Sequence, residues 1–336
     1  MYTSIVVPLD GSDFGALALP LARMLACRSD ASLHLVHVRE SAPTYEEEQG
    51  DWPAREAREC HARGQLDALA TELATDTALR IEMHFLDGPA VPALQAYLAT
   101  GLHDLVVMMT HGRGGISRFW LGNVADGLIR QASIPLLLLR HDNAWLRSPE
   151  EPLFRRVLVP LDGSPLAEAV LDRVLSLATP DVTVHVLLTV IVPPFPQDGS
   201  PADSITFTGQ ADPNEQQDAA LVYLHRVAED LRMADALVEV QVDHYSRNAR
   251  GILDAAEAHR ADLIALSTHG RGSVSRLVHG NVADKVVRGA QTPVFLYRPS
   301  LTQPSPGMAG QDVEAAIDAR YHGDEYGLRR DARGAP

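Results

Sequence analysis

The sequence predicts an α/β protein made of two similar, doubly wound domains, each a five-stranded parallel sheet covered by helices on both faces. Three observations lead there. The first is a long internal repeat. Val7-Pro8-Leu9-Asp10-Gly11-Ser12 returns unchanged as Val159-Pro160-Leu161-Asp162-Gly163-Ser164, Thr110-His111-Gly112-Arg113-Gly114 as Thr268-His269-Gly270-Arg271-Gly272, and Gly122-Asn123-Val124-Ala125-Asp126 as Gly280-Asn281-Val282-Ala283-Asp284. The order is kept, with an offset of 152 residues for the first motif and 158 for the other two. A unit of that size, present twice, is a duplicated domain and not a solenoid repeat. The second observation is that short apolar runs alternate with segments of helical spacing throughout both copies, the pattern of a parallel sheet. The third is length: 336 residues exceed one ordinary core and suit two domains of about 150 residues.

In the first copy, Ser4 to Pro8 is a short apolar strand, and Ser12 can cap a helix that carries Leu17, Leu21, Met24 and Leu25 on one face. Pro20 should kink that helix. Ser32 to Arg39 is the second strand, Pro53 to about Thr75 a long polar-faced helix, and Ile81 to Phe85 alternates as a strand near an edge does. Gly88-Pro89 opens a helix through Tyr97, Asp104 to Met109 is a buried strand, Asn123 to Gln131 a helix and Pro135 to Leu139 the last strand. The second copy follows the same order: Arg156 to Pro160, Pro165 to Leu177, Thr183 to Ile191, Asn214 to Leu231, Val238 to Val242, Asn248 to Ala258, Asp262 to Ser267, Asn281 to Arg288 and Val294 to Tyr297. Its extra residues fall where Pro193-Pro194-Phe195-Pro196 and a polar stretch to Pro213 read as a loop. The expected boundaries are 1–142 and 153–299 for the domains, 143–152 for a linker and 300–336 for a largely disordered tail, with Val313 to Ala319 as a short helical segment in it.

Composition narrows the function. With 46% hydrophobic and 22% charged residues the chain is globular. Its longest apolar block, Val182 to Val192, is interrupted by His185 and too short to span a bilayer. The N-terminus shows no basic region, apolar stretch and cleavage site in succession, so the cytoplasm is the expected location. A net charge of −15 gives no long-range attraction for polyanions, and nucleic acid is not an expected partner. A small anion needs only local backbone dipoles. Cys27 and Cys60 lack metal or redox spacing and read as packing residues.

Open parallel sheets bind ligands beyond the carboxyl ends of their strands, where strand order reverses. The repeated motifs fall at such ends. Asp10 and Asp162 follow the first strand of each copy, and the glycine-rich stretches after Met109 and Ser267 follow the fourth, so with those strands adjacent both motifs face one crevice. Gly112, Gly114, Gly270 and Gly272 let backbone N–H groups approach an oxyanion. Gly122-Asn123 and Gly280-Asn281 open a helix whose first N–H groups and dipole can seat a phosphate. Asp10 and Asp162 can accept hydrogen bonds from a base or sugar, or serve as turn residues, since Asp-Gly-Ser is ordinary turn chemistry. Asn123 and Asn281 can cap their helices, which is compatible with phosphate binding. The stretch from Gly112 to Ser117 begins like GxGxxG but ends in serine and follows the wrong strand, and no GxxxxGK[ST] occurs. A nicotinamide dehydrogenase and a standard P-loop are therefore set aside.

In these motifs the chain resembles the universal stress proteins in their tandem form, over about Thr3 to Arg140 and Arg155 to Arg298. The resemblance implies an adenine-nucleotide alpha-hydrolase-like fold with strand order 3-2-1-4-5 and domains that pair through their last strands. It also implies ATP, alone or with Mg2+, held by a pattern of glycine, two residues, glycine, nine residues, then glycine followed by serine or threonine. Gly112 and Gly270 match the second glycine, and Gly122 and Gly280 the third. Met109 and Ser267 stand at the first, and Asn123 and Asn281 at the Ser/Thr, so altered phosphate contacts are expected. By the same matching Pro8, Asp10, Pro160 and Asp162 lie at the adenine end, Val38 and Val190 offer backbone groups to the base, and Val124 and Val282 follow the phosphate seat. His111 and His269 lie beside the phosphates or hold their loops, and Arg113 and Arg271 reach a phosphate or are solvated.

The leading expectation is an adenine-nucleotide-binding regulatory protein of the stress response, its two domains paired within the chain and a homodimer left open. A slow ATPase or adenylyl-transferring enzyme is the alternative. No motif places a carboxylate to activate water, so His111 or His269 would have to act as the base. A scaffold with degenerate nucleotide sites is the third reading, in which the 192–213 loop and the tail carry the contacts.

Overall fold

Each copy contributes five strands: β1 (Ser4–Pro8), β2 (Ser32–Arg39), β3 (Ile81–Asp87), β4 (Leu105–Met109) and β5 (Leu136–Leu139) from the first, and β6 (Arg156–Pro160), β7 (Val184–Ile191), β8 (Leu237–His244), β9 (Leu263–Ser267) and β10 (Val294–Tyr297) from the second. In the computed structural model, which describes residues 1–39, 60, 63–71, 73, 79–110, 121–140, 153–179, 181–191, 213–245, 248–268 and 282–299, they form one ten-stranded sheet ordered β3-β2-β1-β4-β5-β10-β9-β6-β7-β8. Within each copy the pairing is parallel and the order is 3-2-1-4-5. Where the copies meet, β5 and β10 pair antiparallel, with Phe295 opposite Leu137. That pairing leaves β3 and β8 as the edges, which is why both are exposed or half-buried along their length, while β1 and β4 are almost wholly buried.

The helices are α1 (Asp13–Ala16), α2 (Leu19–Ser29), α3 (Ala90–Leu98), α4 (Asn123–Gln131), α5 (Pro165–Glu168), α6 (Leu171–Leu175), α7 (Pro213–Met233), α8 (Asn248–Ala258) and α9 (Val282–Gly289), and residues 63–71 are helical as well. Strand side chains alternate between two apolar layers. Ile5, Val7 and Leu9 join Leu21 and Leu25 of α2 and Leu224 of α7 on one face. Val6 and Val106 join Leu94 of α3, Leu128 of α4, Ile252 of α8 and Val286 of α9 on the other.

Several expectations are corrected. The helix after Ser12 is two pieces, α1 and α2, because Pro20 sits in the first turn of α2, where its missing N–H leaves no bond unmade, and starts a helix instead of kinking one. The stretch from Pro165 to Leu177 breaks at the same place into α5 and α6. β3 and β8 run on to Asp87 and His244, since Arg39 and Ile191 still offer them ladder partners. Cys27 and Cys60 are exposed free thiols and not packing residues. Cys27 falls on the outer stripe of α2, opposite Leu21, Ala22, Leu25 and Ala26. The linker 143–152, residues 192–212 of the expected loop, the tail and most of the expected helix from Pro53 lie outside the described residues.

One device appears in both copies. Asp104, just before β4, accepts hydrogen bonds at Oδ2 from Thr3 N (2.7 Å) and Thr3 Oγ1 (2.9 Å) and at Oδ1 from Ser4 N (3.1 Å), while its own N–H donates to Ser4 O at 3.1 Å. Asp262 before β9 does the same with Arg155 N (2.7 Å) and Arg156 N (3.0 Å). These carboxylates clamp the starts of the first and fourth strands together. Contacts also cross between the copies: Arg288 Nη2 donates to Asp126 Oδ1 at 3.0 Å, Tyr2 Oη to Arg173 O at 3.1 Å and Arg28 Nη1 to Thr179 Oγ1 at 2.9 Å.

Asp104→Ala is expected to destabilise the protein by about 2 kcal/mol in urea unfolding, since it deletes a charge-assisted clamp; an unchanged midpoint would show that the clamp contributes nothing. Burial holds the imidazoles of His34, His103 and His185 below their usual value. The unfolded chain therefore takes up these protons first, and the melting temperature should fall as pH drops through about 6.5.

Candidate functional site

The order of strands reverses at β1, which has β2 on one side and β4 on the other. In a parallel strand, alternate residues turn their N–H and C=O to opposite neighbours. In β2 the even positions face β1, as Ser32 N to Thr3 O (2.9 Å) and Leu9 N to Val36 O (2.8 Å) show, and the odd ones face β3, as Gly88 N to Arg39 O (3.1 Å) shows. The β1–β2 ladder ends at Pro8 and Val36. Val38 is the next even position, so its backbone groups face the opening at the end of β1. The second copy repeats this. Leu161 N bonds Leu188 O at 2.8 Å and Tyr245 N bonds Ile191 O at 3.1 Å, which turns the backbone of Val190 to the opening beyond Pro160.

The chain leaving β1 is held by a side chain from β2. His37 Nδ1 lies 2.9 Å from Leu9 O, and because a carbonyl only accepts, Nδ1 carries the proton. Thr189 Oγ1 does the same for Leu161 O at 3.0 Å. The sequence reading missed this pair, whose signal was a polar residue at matching positions of an otherwise apolar strand. The turn that follows needs Gly11 and Gly163 at φ 73° and 84°, left-handed values. Asp10 Oδ1 accepts from Ser12 N at 3.0 Å and from Ser12 Oγ, and Ser12 Oγ accepts from Gly15 N at 3.1 Å, capping α1. Asp162, Ser164 and Ala167 repeat that network at 3.0, 2.6 and 3.1 Å. The turn thus engages Oδ1 of each aspartate, and Oδ2 accepts no bond from the described residues.

Across the crevice, Met109 is buried in the layer that holds Val7 and Leu9. Thr110 anchors the next segment by donating N–H (2.9 Å) and Oγ1 (3.1 Å) to Leu139 O. Gly122 N donates to Thr110 O at 2.8 Å. Gly122 is also the N-cap of α4, which has no side-chain cap; Asn123 is exposed there and Val124 half-buried. Asn123 is therefore the first residue of the helix and not its cap. In the second copy Thr268 N bonds Tyr297 O at 2.8 Å, and Val282 begins α9. Ser267, opposite Met109 in the repeat, has a buried Oγ without a partner among the described residues. His111, Gly112, Arg113, His269, Gly270, Arg271, Gly280 and Asn281 lie outside the described residues.

The second copy holds one group that the sequence reading did not single out. Asn248, at the start of α8, is 3% exposed, and neither Oδ1 nor Nδ2 has a partner among the described residues. One turn on, a Cβ at Gly251 would lie 2.9 Å from Val190 Cγ1 and 2.8 Å from Tyr245 Cδ2, so α8 rests directly on Val190. The first copy has Ala90 at that position. Only alignment of the two copies would have exposed the difference, because an asparagine opening a helix reads as a cap.

A family model described as the universal stress protein family matches residues 1–140 and 153–298. The chain belongs to the universal stress protein family. Two curated members from Mycobacterium tuberculosis are similar along nearly their whole length. Rv2005c is 27% identical over 308 residues, covering 88% of this chain and 97% of its own. Rv2623 is 26% identical over 306 residues, covering 89% and 97%. A solved universal stress protein from Archaeoglobus fulgidus superposes with a TM-score of 0.64 at 16% identity, covering 88% of this chain and 98% of its own. A second, from Pseudomonas aeruginosa, gives 0.58 at 15% identity, covering 89% and 94%. These structures carry the family fold, and the tandem arrangement in this chain agrees with it. Among the described residues no helix is long and apolar enough to cross a membrane.

Ser164→Ala removes the acceptor for Ala167 N and the donor to Asp162. It should cost about 1 kcal/mol of unfolding free energy, measured by denaturant titration; a neutral result would mean that the turn holds without its cap.

Proposed function

We propose that the chain is an adenine-nucleotide-binding regulatory protein of the stress response, with one ligand, ATP with or without Mg2+, at the strand reversal of each copy. The observation that carries this reading is the same set of backbone groups, at Val38 and Val190, facing the same opening in both halves. An N–H and a C=O presented together complement the edge of adenine, which offers an amino donor beside a ring-nitrogen acceptor. Asp10 and Asp162 add a carboxylate oxygen suited to a ribose hydroxyl, with Pro8 and Pro160 marking the strand ends beneath. The first N–H groups of α4 and α9, at Asn123, Val124 and Val282, lie at the positive end of a helix dipole, where phosphate is favoured. Gly112, Gly270, Gly122 and Gly280 leave room for phosphate in this reading, and His111, Arg113, His269 and Arg271 flank it. Met109 and Ser267 replace a glycine of the family pattern and make the two seats unequal. In the second copy the amide of Asn248 adds another donor–acceptor pair beside Val190.

Isothermal titration of the full chain with ATP should give micromolar binding, about −8 kcal/mol, and Gly112→Val and Gly270→Val should each remove one site. Absence of heat at high protein concentration, with no nucleotide released on denaturation, would contradict the proposal. Asn248→Ala should weaken the second site about tenfold, a loss of about 1.4 kcal/mol, and leave the first unchanged; an equal effect on both would refute its assigned place.

A further inference from the structure

At the other end of the sheet from the strand-end openings, the first copy carries a cluster of histidines that the nucleotide reading does not use. His34 lies on β2 directly opposite Glu82 of β3, and His84 is two residues further along β3. Residues two apart on a strand share a face, so the three side chains converge. His34 Nδ1 is 3.1 Å from His84 Nε2 and 3.6 Å from Glu82 Oε2, and His84 Nε2 is 3.5 Å from the same oxygen. A zinc ion bound at about 2.0–2.1 Å in a tetrahedron sets its ligand atoms about 3.4 Å apart. The three distances already describe one face of that tetrahedron.

We propose that His34, Glu82 and His84 form a binding site for a divalent transition metal, zinc in the first instance, with an open fourth position. Two imidazoles and a carboxylate are a donor set that suits zinc and its first-row neighbours. The orientation of His34 is fixed from behind. Ser32 Oγ donates to Thr3 O at 3.3 Å, so towards His34 Nε2, 2.9 Å away, it acts as the acceptor. Nε2 therefore carries the proton, and the Nδ1 lone pair points at His84 and Glu82, as a ligating histidine requires. Tyr97 Oη stands 3.4 Å from Nδ1. His103 packs edge-on against His34 at 4.8 Å between ring centroids, stacks on Tyr97 at 4.5 Å, and is itself tied to Ser4 Oγ at 2.8 Å. Burial holds His34 below the usual histidine range, in the neutral form that binds metal. Glu82 and His84 on the edge strand are accessible, with side chains 57% and 30% exposed, which gives an ion a route in.

The fold does not require the histidines, although the second copy keeps a glutamate, Glu239, at the position of Glu82. In the second copy the positions of His34, Tyr97 and His103 are held by Val186, Ala255 and Ala261, all buried in the equivalent layer. The site lies four residues before Val38 along β2, about 13 Å at the rise of a strand, so the metal and the strand-end opening occupy opposite ends of one element. Metal binding at His34 does not rest on nucleotide binding.

The test uses the untagged full chain, stripped with a chelator and titrated with Co2+ and then Zn2+. The expected result is one equivalent of Co2+ with the intense visible absorption of a four-coordinate site, displaced by Zn2+. His84→Ala, on the exposed edge strand, and Glu82→Ala should each weaken Zn2+ binding at least tenfold with unchanged far-UV circular dichroism. His244→Gln in the second copy should leave binding unchanged. No uptake by the parent protein, a weak octahedral cobalt spectrum, or uptake that persists in folded His84→Ala would each overturn the proposal. Because His34 is buried, its variant is not needed for the decision.

Discussion

The parallel pairing of β1 with β4, repeated as β6 with β9, is the constraint on which the rest of the molecule depends. Each ladder is short: Ile5 and Val6 face Leu105 and Val106, and Val157 and Leu158 face Leu263 and Ile264. Asp104 and Asp262 bind the opposite main chain at the start of each ladder, fixing which residues meet. With the starts clamped, the first and fourth strands diverge at their carboxyl ends, and the order of the sheet reverses there. Backbone groups of the adjoining strand, at Val38 and Val190, are then left beyond the last pair. The candidate site is thus a consequence of topology, and its side chains refine an opening that the strands have already made.

Joining the halves through β5 and β10 covers two edges that would otherwise be exposed, and Arg288 on α9 reaches Asp126 on α4 beside the seam. Duplication of this kind lets the copies diverge without losing the sheet. The second copy has Asn248 and Ser267, polar groups buried without partners among the described residues near its strand ends. The first has Ala90 and Met109 there and carries the His34, Glu82 and His84 cluster at the other end. The two halves are therefore alike in scaffold and unequal in chemistry.

Much of the scaffold was legible in the sequence, because strands buried on both faces read as apolar runs and the repeat supplied each element twice. Pro20 was ambiguous: a proline can kink a helix or begin one, and only the break after Ala16 decides. Cys27 was misread because residue type says less about burial than position on the helical stripe does. The site was legible where it rests on local chemistry, as in the turn of Asp10 and Ser12. It was not legible where it rests on register. Nothing local brings His34 to Glu82 and His84, about fifty residues away; that contact exists only once β2 and β3 are aligned. Asn248 escaped for a related reason, since a helix-opening asparagine ordinarily satisfies its own backbone, and its lack of partners among the described residues is a property of the packed α8.

Hydrogen–deuterium exchange at the ends of β2 and β7, with and without ATP, tests the central claim most directly. If nucleotide binds at both reversals, the amides of Val38 and Val190 should gain protection on addition of ATP, while the amides paired across β5 and β10 stay as they were. Unchanged exchange at both valines under saturating ATP would contradict a nucleotide site at the strand reversal.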